Sequence, residues 1–293
     1  MIIRPDDLAD AILAEVTEQI QRLRKRGRIA NVRAFMIGET PAAARTAAEW
    51  GSLAGRCGIE FTVHAIPAAS SQPEVDSRLR SASDAPDVTG VCILPPVPSD
   101  RKLPRLVREI SPRKDILGMH PENIGMALAG GGEILAPAAQ AVLSTLTTAH
   151  VDVFDKTVLL VGDPYTLTIP LASALAGRAK RVTVMAAESE ELASLAQQYD
   201  ILVISGTRPA SVACVADGAI ALDLSPRGSD NAHALAGGCF CEGVLDTASA
   251  VLPAGAMDTL YTALIMQNIM ECTRALPDAK PSPESHWNGR TRK

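Results

Sequence analysis

Short, β-branched apolar segments alternate with alanine-rich amphipathic ones, and this alternation runs twice through the chain. In the first half the apolar segments are VRAFMI (32–37), IEFTVHAI (59–66) and VTGVCIL (88–94), the last broken by Pro95, Pro96 and Pro98. In the second half they are KTVLLVG (156–162), RVTVM (181–185), DILVIS (200–205) and AIALDLS (219–225). Segments this short read as strands buried on both faces, and the helical stretches between them supply the crossovers that parallel strands need. The pattern therefore predicts an α/β protein with parallel sheets covered by helices. An opening amphipathic helix places Leu8, Ile12, Leu13, Val16, Ile20 and Leu23 on one face and stops at Gly27. A helix is expected over 137–148, another around 170–177, and one over SEELASLAQQY opened by Ser189 as N-cap. A last apolar helix over 258–274 is expected to pack back on the N-terminal half.

Composition narrows the function classes. The 293 residues carry 28 basic and 33 acidic side chains, a formal charge of −5, which argues against a broad cationic face for nucleic acid. No apolar run approaches the ~18 residues of a membrane span. The N-terminus turns acidic before a signal-peptide core forms, so a cytoplasmic location is expected. Cys57, Cys92, Cys214, Cys239, Cys241 and Cys272 follow neither a paired-CxxC nor a dense disulfide pattern. Free thiols and no structural metal are the expectation.

Four motifs, in order, carry a resemblance. They are GETPAAARTAAEW (38–50), GVCILPPVP (90–98), ISPRKDILGMHPENIG (110–125) and LAPAAQAVL (135–143). The third is close to I-x-P-x-K-D-V-D-G-F-H-P-x-N-x-G, and the second resembles G-I-L-V-Q-L-P-L-P. The chain thus resembles, nearly end to end, the bifunctional methylenetetrahydrofolate dehydrogenase/methenyltetrahydrofolate cyclohydrolase family. The resemblance implies a folate-type catalytic domain over 1–145 and 257–275, a Rossmann NAD(P)-binding-type domain over 146–256, and a flexible tail over 276–293. It implies a cleft for tetrahydrofolate and NAD or NADP, in a homodimer.

The family's working residues are not carried over. Where the resemblance places a Tyr and, four residues later, the proton-handling Lys, this chain has Thr46 and Trp50. An ammonium of shifted pKa exchanges protons near neutrality, whereas an indole does not. The Gln that fixes that Lys is Leu94, beside Pro95, and the Asp that grips the pterin edge is Leu117. A leucine accepts no hydrogen bond and leaves the pterin donors unpaired on burial. The turn that meets cofactor phosphate, G-R-S-x-I-V-G-x-P in the family, reads GDPYTLTIP. Gly162 stays, Asp163 replaces Arg, and Thr168 replaces the second Gly, with Thr166 between them. A carboxylate there repels phosphate, so dinucleotide binding is doubtful; if any binds, Asp163 favours NAD over NADP. Glu188, after the 181–185 strand, is a candidate ribose acceptor. Asp258 brings charge into a loop that is glycine-rich in the family.

Among the remaining polar groups, Glu49, His120 and Lys114 are the candidate proton carriers, His120 because its ordinary pKa lies near neutrality. Trp50 is placed either to stack on a flat ligand or to fill vacated volume. Cys239 and Cys241 have no histidine at motif spacing. The expected function is a divergent one-carbon folate protein with cyclohydrolase weak or lost and the pocket rebuilt for a small folate-like ligand. An active NAD(P)-dependent methylenetetrahydrofolate dehydrogenase and a non-catalytic binder of folate or another planar ligand remain the alternatives.

Overall fold

The computed structural model describes residues 1–186, 189–206, 211–225, 235 and 238–275. The elements of the first half are α1 (Asp6–Lys25), β1 (Asn31–Ile37), α2 (Pro41–Arg56), β2 (Glu60–Ile66), α3 (Gln72–Asp84), β3 (Gly90–Ile93), α4 (Leu103–Val107), α5 (Pro121–Leu128) and α6 (Pro137–Thr148). Those of the second are β4 (Thr157–Val161), α7 (Ile169–Leu175), β5 (Arg181–Met185), α8 (Leu192–Leu195), β6 (Ile201–Ile204), β7 (Ile220–Asp223), α9 (Val244–Thr247), β8 (Ala250–Leu252) and α10 (Asp258–Ala275).

Two parallel sheets result, ordered β2-β1-β3 and β5-β4-β6-β7-β8. The protein is therefore a two-domain α/β fold whose second domain is Rossmann-like. β3, β6, β7 and β8 are buried at every position, as their unbroken apolar runs require. β2 is an edge strand and mostly open, so its alternation is looser.

Two helices tie the halves together. From α10, Leu260, Ala263 and Leu264 enter the core of the second sheet, while Ile265, Met266, Ile269 and Met270 enter that of the first. From α1, Ala9 joins the former and Val16, Ile20 and Leu23 the latter. The first residues also cross over: Ile3 N donates to Val251 O at 2.7 Å, and Val251 N donates to Met1 O at 2.8 Å.

The helix expected from Ser189 onward is shorter than its sequence suggested. Ser189 Oγ accepts from Glu191 N at 3.3 Å, but α8 holds only four residues before a 3-10 turn over Ala196–Gln198. The segment 164–168, expected as a turn, is a wide π-type turn that feeds α7. Among the described residues, no helix is long and apolar enough to cross a membrane. Glu188 and the tail from 276 lie outside the described residues.

Candidate functional site

A cleft of about 470 Å³ opens where the carboxyl end of the β4 sheet meets α2 and α10. This is the position at which open parallel sheets hold ligands. α2 supplies one wall. Its N-cap Thr40 accepts from Ala43 N at 3.1 Å through Oγ1, and Pro41 sets the first turn. Thr46, Glu49 and Trp50 come next at helical spacing and face the cleft together. Thr46 Oγ1 donates back to Ala42 O at 3.2 Å, so its hydroxyl hydrogen is engaged within the helix. Glu49 is exposed at the rim.

Trp50 is only 3% exposed and packs obliquely on Tyr261 of α10, with ring centroids 6.4 Å apart. Burial pushes the Tyr261 phenol up to about 12, so it remains a protonated donor at neutral pH. Asp258 and Thr262 of α10 line the same wall, and Pro95, Ser205 and Thr166 close the others. Leu94 and Leu117 are 0% and 4% exposed, packed in the same apolar cluster as Trp50 and not on the cleft surface. Two of the positions where the resemblance places polar folate contacts, Leu94 and Leu117, therefore belong to a buried apolar core, while Thr46 and Trp50 reach the cleft.

The structure places Lys114 and His120, two of the candidate proton carriers, away from the cleft. Lys114 Nζ donates to Ser83 O at 2.6 Å and Ala85 O at 2.8 Å, tying the end of α3 to the 112–114 turn away from the cleft. Burial holds its pKa below the ordinary lysine value. His120 is the N-cap of α5: its Nδ1 accepts from Glu122 N at 3.1 Å, and its own N–H donates to Asp115 Oδ2 at 2.7 Å. Neither residue lines the cleft, because both are spent on holding this loop. Asp115 is its centre. It is 1% exposed and also accepts from Leu117 N at 3.3 Å and Asn123 Nδ2 at 3.2 Å. Its pKa is raised by burial, against the lowering effect of those donors.

At the turn after β4, Gly162 has φ +145°, and a Cβ there would lie 2.7 Å from Ser205 O, so only glycine fits. Asp163 caps the 164–168 turn. Its Oδ1 accepts from Tyr165 N at 3.0 Å, Thr166 N at 2.8 Å and Thr166 Oγ1 at 2.9 Å. The chain's own carboxylate thus takes the N–H groups that such a turn offers to a phosphate. Thr168, in the place of a glycine, is fully buried, and its Oγ1 has no partner among the described residues. The residues of this turn do not fit a pyrophosphate bound in the usual way.

Cys239 lies elsewhere, 3.3 Å from Ser225 Oγ, with its N–H on Asp223 Oδ2 at 2.5 Å. Burial, reinforced by Asp223, raises its thiol pKa, which is the wrong direction for a nucleophile. Sequence reasoning missed Tyr261, Thr262 and Ser205. Tyr261 stands three residues after Asp258, a spacing that puts both on one face of α10.

Known proteins share this architecture from end to end. A bifunctional protein FolD from Lachnoclostridium phytofermentans is 24% identical over 271 residues, covering 92% of this chain and 96% of that one. The crystal structure of FolD methylenetetrahydrofolate dehydrogenase/cyclohydrolase from Campylobacter jejuni superposes with a TM-score of 0.85 at 20% identity, covering 94% and 98% of the two chains. The Trypanosoma brucei methylenetetrahydrofolate dehydrogenase-cyclohydrolase, solved with NADP cofactor and inhibitor, gives 0.83 at 21% identity, covering 94% and 97%. Residues 3–116 match the catalytic domain, and residues 136–276 the NAD(P)-binding domain, of tetrahydrofolate dehydrogenase/cyclohydrolase. With both domains present in order on this two-sheet fold, the chain belongs to the tetrahydrofolate dehydrogenase/cyclohydrolase family.

Proposed function

We propose that this chain is a divergent member of its family in which the methenyltetrahydrofolate cyclohydrolase reaction is weak or lost and the cleft is rebuilt for a flat ligand. The observation that carries the reading is Trp50, buried against Tyr261 at the position where the resemblance places the proton-handling lysine. Among the described residues that line the cleft, none is a lysine or histidine. Glu49 and Asp258 are the carboxylates among them. Loss of the positioned acid–base group alone costs on the order of a hundredfold or more in rate. The apolar core around Leu94 and Leu117 supports the same reading, since a pterin edge brought there would lose its acceptors.

The test measures methenyltetrahydrofolate hydrolysis against the spontaneous rate, alongside thermal shifts with tetrahydrofolate, methenyltetrahydrofolate, NAD and NADP. Enzymatic hydrolysis well above background would sink the proposal. A midpoint rise with a folate and none with either nucleotide is the expected pattern, since ligands that bind only the folded state stabilise it by mass action. An active dehydrogenase is the second reading, favoured by the NAD(P)-binding domain match over 136–276. Hydride transfer depends mainly on positioning two bound partners and needs no residue of the lost lysine's kind. Clear shifts with both a folate and a nucleotide would put it first, and NAD should then bind more tightly than NADP.

A further inference from the structure

A second cavity, of about 810 Å³, adjoins the first and shares Thr166 with it. Its wall on the first domain is basic. Arg101, Lys102, Arg105 and Arg108 all face it from the segment leading into and capping α4, across from the Asp163–Thr166 turn. In a chain of formal charge −5, four cations on one cavity wall run against the overall balance.

The four differ in what holds them. Arg101 is held in place: its guanidinium donates to Gln72 Oε1 at 3.1 Å, to Ala68 O at 3.2 Å and to Ser70 O, its Nε lies 3.7 Å from Asp100 Oδ2, and its side chain is 9% exposed. Arg105 pairs with Asp76 at 3.3 Å. Lys102 and Arg108 are exposed, and their side chains have no hydrogen-bond or ion-pair partner among the described residues. Two carboxylate-paired arginines therefore flank two cations whose side chains have no partner among the described residues. On the opposite wall, Asp163 directs one carboxylate oxygen into its own turn, and Tyr165 is 43% exposed.

We infer that this cavity is a binding subsite for a polyanion, and that anion recognition has crossed the cleft from the turn after β4 to the 101–108 segment. The turn has filled its N–H groups with Asp163, while the facing wall presents cations without partners. Because the two cavities meet at Thr166, the ligand class is a flat or partly apolar molecule bearing two or more negative charges. Its flat part lies toward Trp50 and its charged end toward Lys102 and Arg108. That orientation rests on the proposed function; the anion subsite itself does not. The charges are phosphates or clustered carboxylates, and the basic wall suits either.

Calorimetric titration of the full chain at low ionic strength, with tripolyphosphate in one arm and citrate in the other, tests it. At least one probe should bind with a stoichiometry of one. Lys102→Glu/Arg108→Glu should weaken that binding about tenfold or more. Lys25→Glu/Arg26→Glu, the same charge change at the far end of α1, should leave it within about twofold. The probe that binds more tightly and responds more to the 102/108 change identifies phosphate or carboxylate as the source. Absence of binding by both probes, equal losses in the two double variants, or wild-type binding by the 102/108 variant each overturns the inference. Hydrolysis of methenyltetrahydrofolate by the wild-type chain would overturn the functional reading alone, so the two failures are separable.

Discussion

Replacing Asp163 by Ala should lower stability and raise dinucleotide affinity at once. The carboxylate accepts three hydrogen bonds at 2.8–3.0 Å from Tyr165 and Thr166, the arrangement of a strong N-cap. Truncating such a cap costs about 1–2 kcal/mol. For a chain of this size that lowers the melting midpoint by roughly 2–4 °C for each kcal/mol. The same change frees two N–H donors at a helix start and removes one negative charge. At ~5 Å from a phosphate, across a surface of effective dielectric between about 20 and 80, that charge opposes binding by about 1–3 kcal/mol. The affinity for NAD and NADP should therefore rise at least about fivefold. Scanning calorimetry without ligand reads the first effect, and titration calorimetry the second. Asp163→Asn separates them, because asparagine caps about as well as aspartate while carrying no charge. It should keep most of the stability and gain most of the charge-dependent affinity. A midpoint that falls in Asp163→Ala with no gain in nucleotide affinity would refute the argument that this carboxylate excludes phosphate.

Three further outcomes rest on the same structure. Trp50→Ala, which empties a 3%-exposed site against Tyr261, should cost about 3–5 kcal/mol in urea unfolding, and a loss under 1 kcal/mol would mean the indole packs loosely. Asp115→Ala removes the acceptor of Leu117 N, His120 N and Asn123 Nδ2 and should destabilise by about 3 kcal/mol or more, read by the same assay. At Asp200, hydrogen bonds from Thr157 N and Oγ1 hold the carboxyl below its ordinary 3.8. Its stabilisation is thus complete above that value and is lost as pH falls through the folded-state pKa. Asp200→Asn should be weaker than wild type by about 1 kcal/mol at neutral pH, with the gap closing as the pH drops below about 4; a constant gap would show that charge is not the cause.

Much of the fold was legible because period and punctuation are local properties. The run of buried strands, the N-terminal helix and α6 can be read from apolar spacing alone, and the shared face of Thr46, Glu49 and Trp50 from helical periodicity. The placement of Lys114 and His120 away from the cleft was hidden from the sequence. Their residue types fit proton transfer, but their hydrogen-bond partners, Ser83, Ala85 and Glu122, which hold them in the loop, come from tertiary structure or local capping that residue type does not show. The wall of Arg101, Lys102, Arg105 and Arg108 was missed because it comes after a proline-rich break, where no periodicity marks which side chains share a face. The partial collapse of the 189–199 helix has a similar origin. Tyr199 donates to Thr183 on β5 at 2.8 Å, and Arg181 sits 4.8 Å over its ring, so tertiary contacts set where the helix ends.

The way both ends of the described chain cross between domains has a consequence for unfolding. α10 sends apolar side chains into both cores from different sides of the helix, α1 contributes to both from the other end, and residues 1–3 hydrogen-bond to β8 on the second sheet. Neither α/β unit is therefore complete as a contiguous stretch of chain. Because α10 is one continuous helix, stripping it from one core pulls its other apolar side chains out of the second, so opening of either domain carries part of the free-energy cost of both. Heat or denaturant should meet a single cooperative unit here, and Tyr261 and Asp258, which begin that helix, leave the cleft only when the whole body melts.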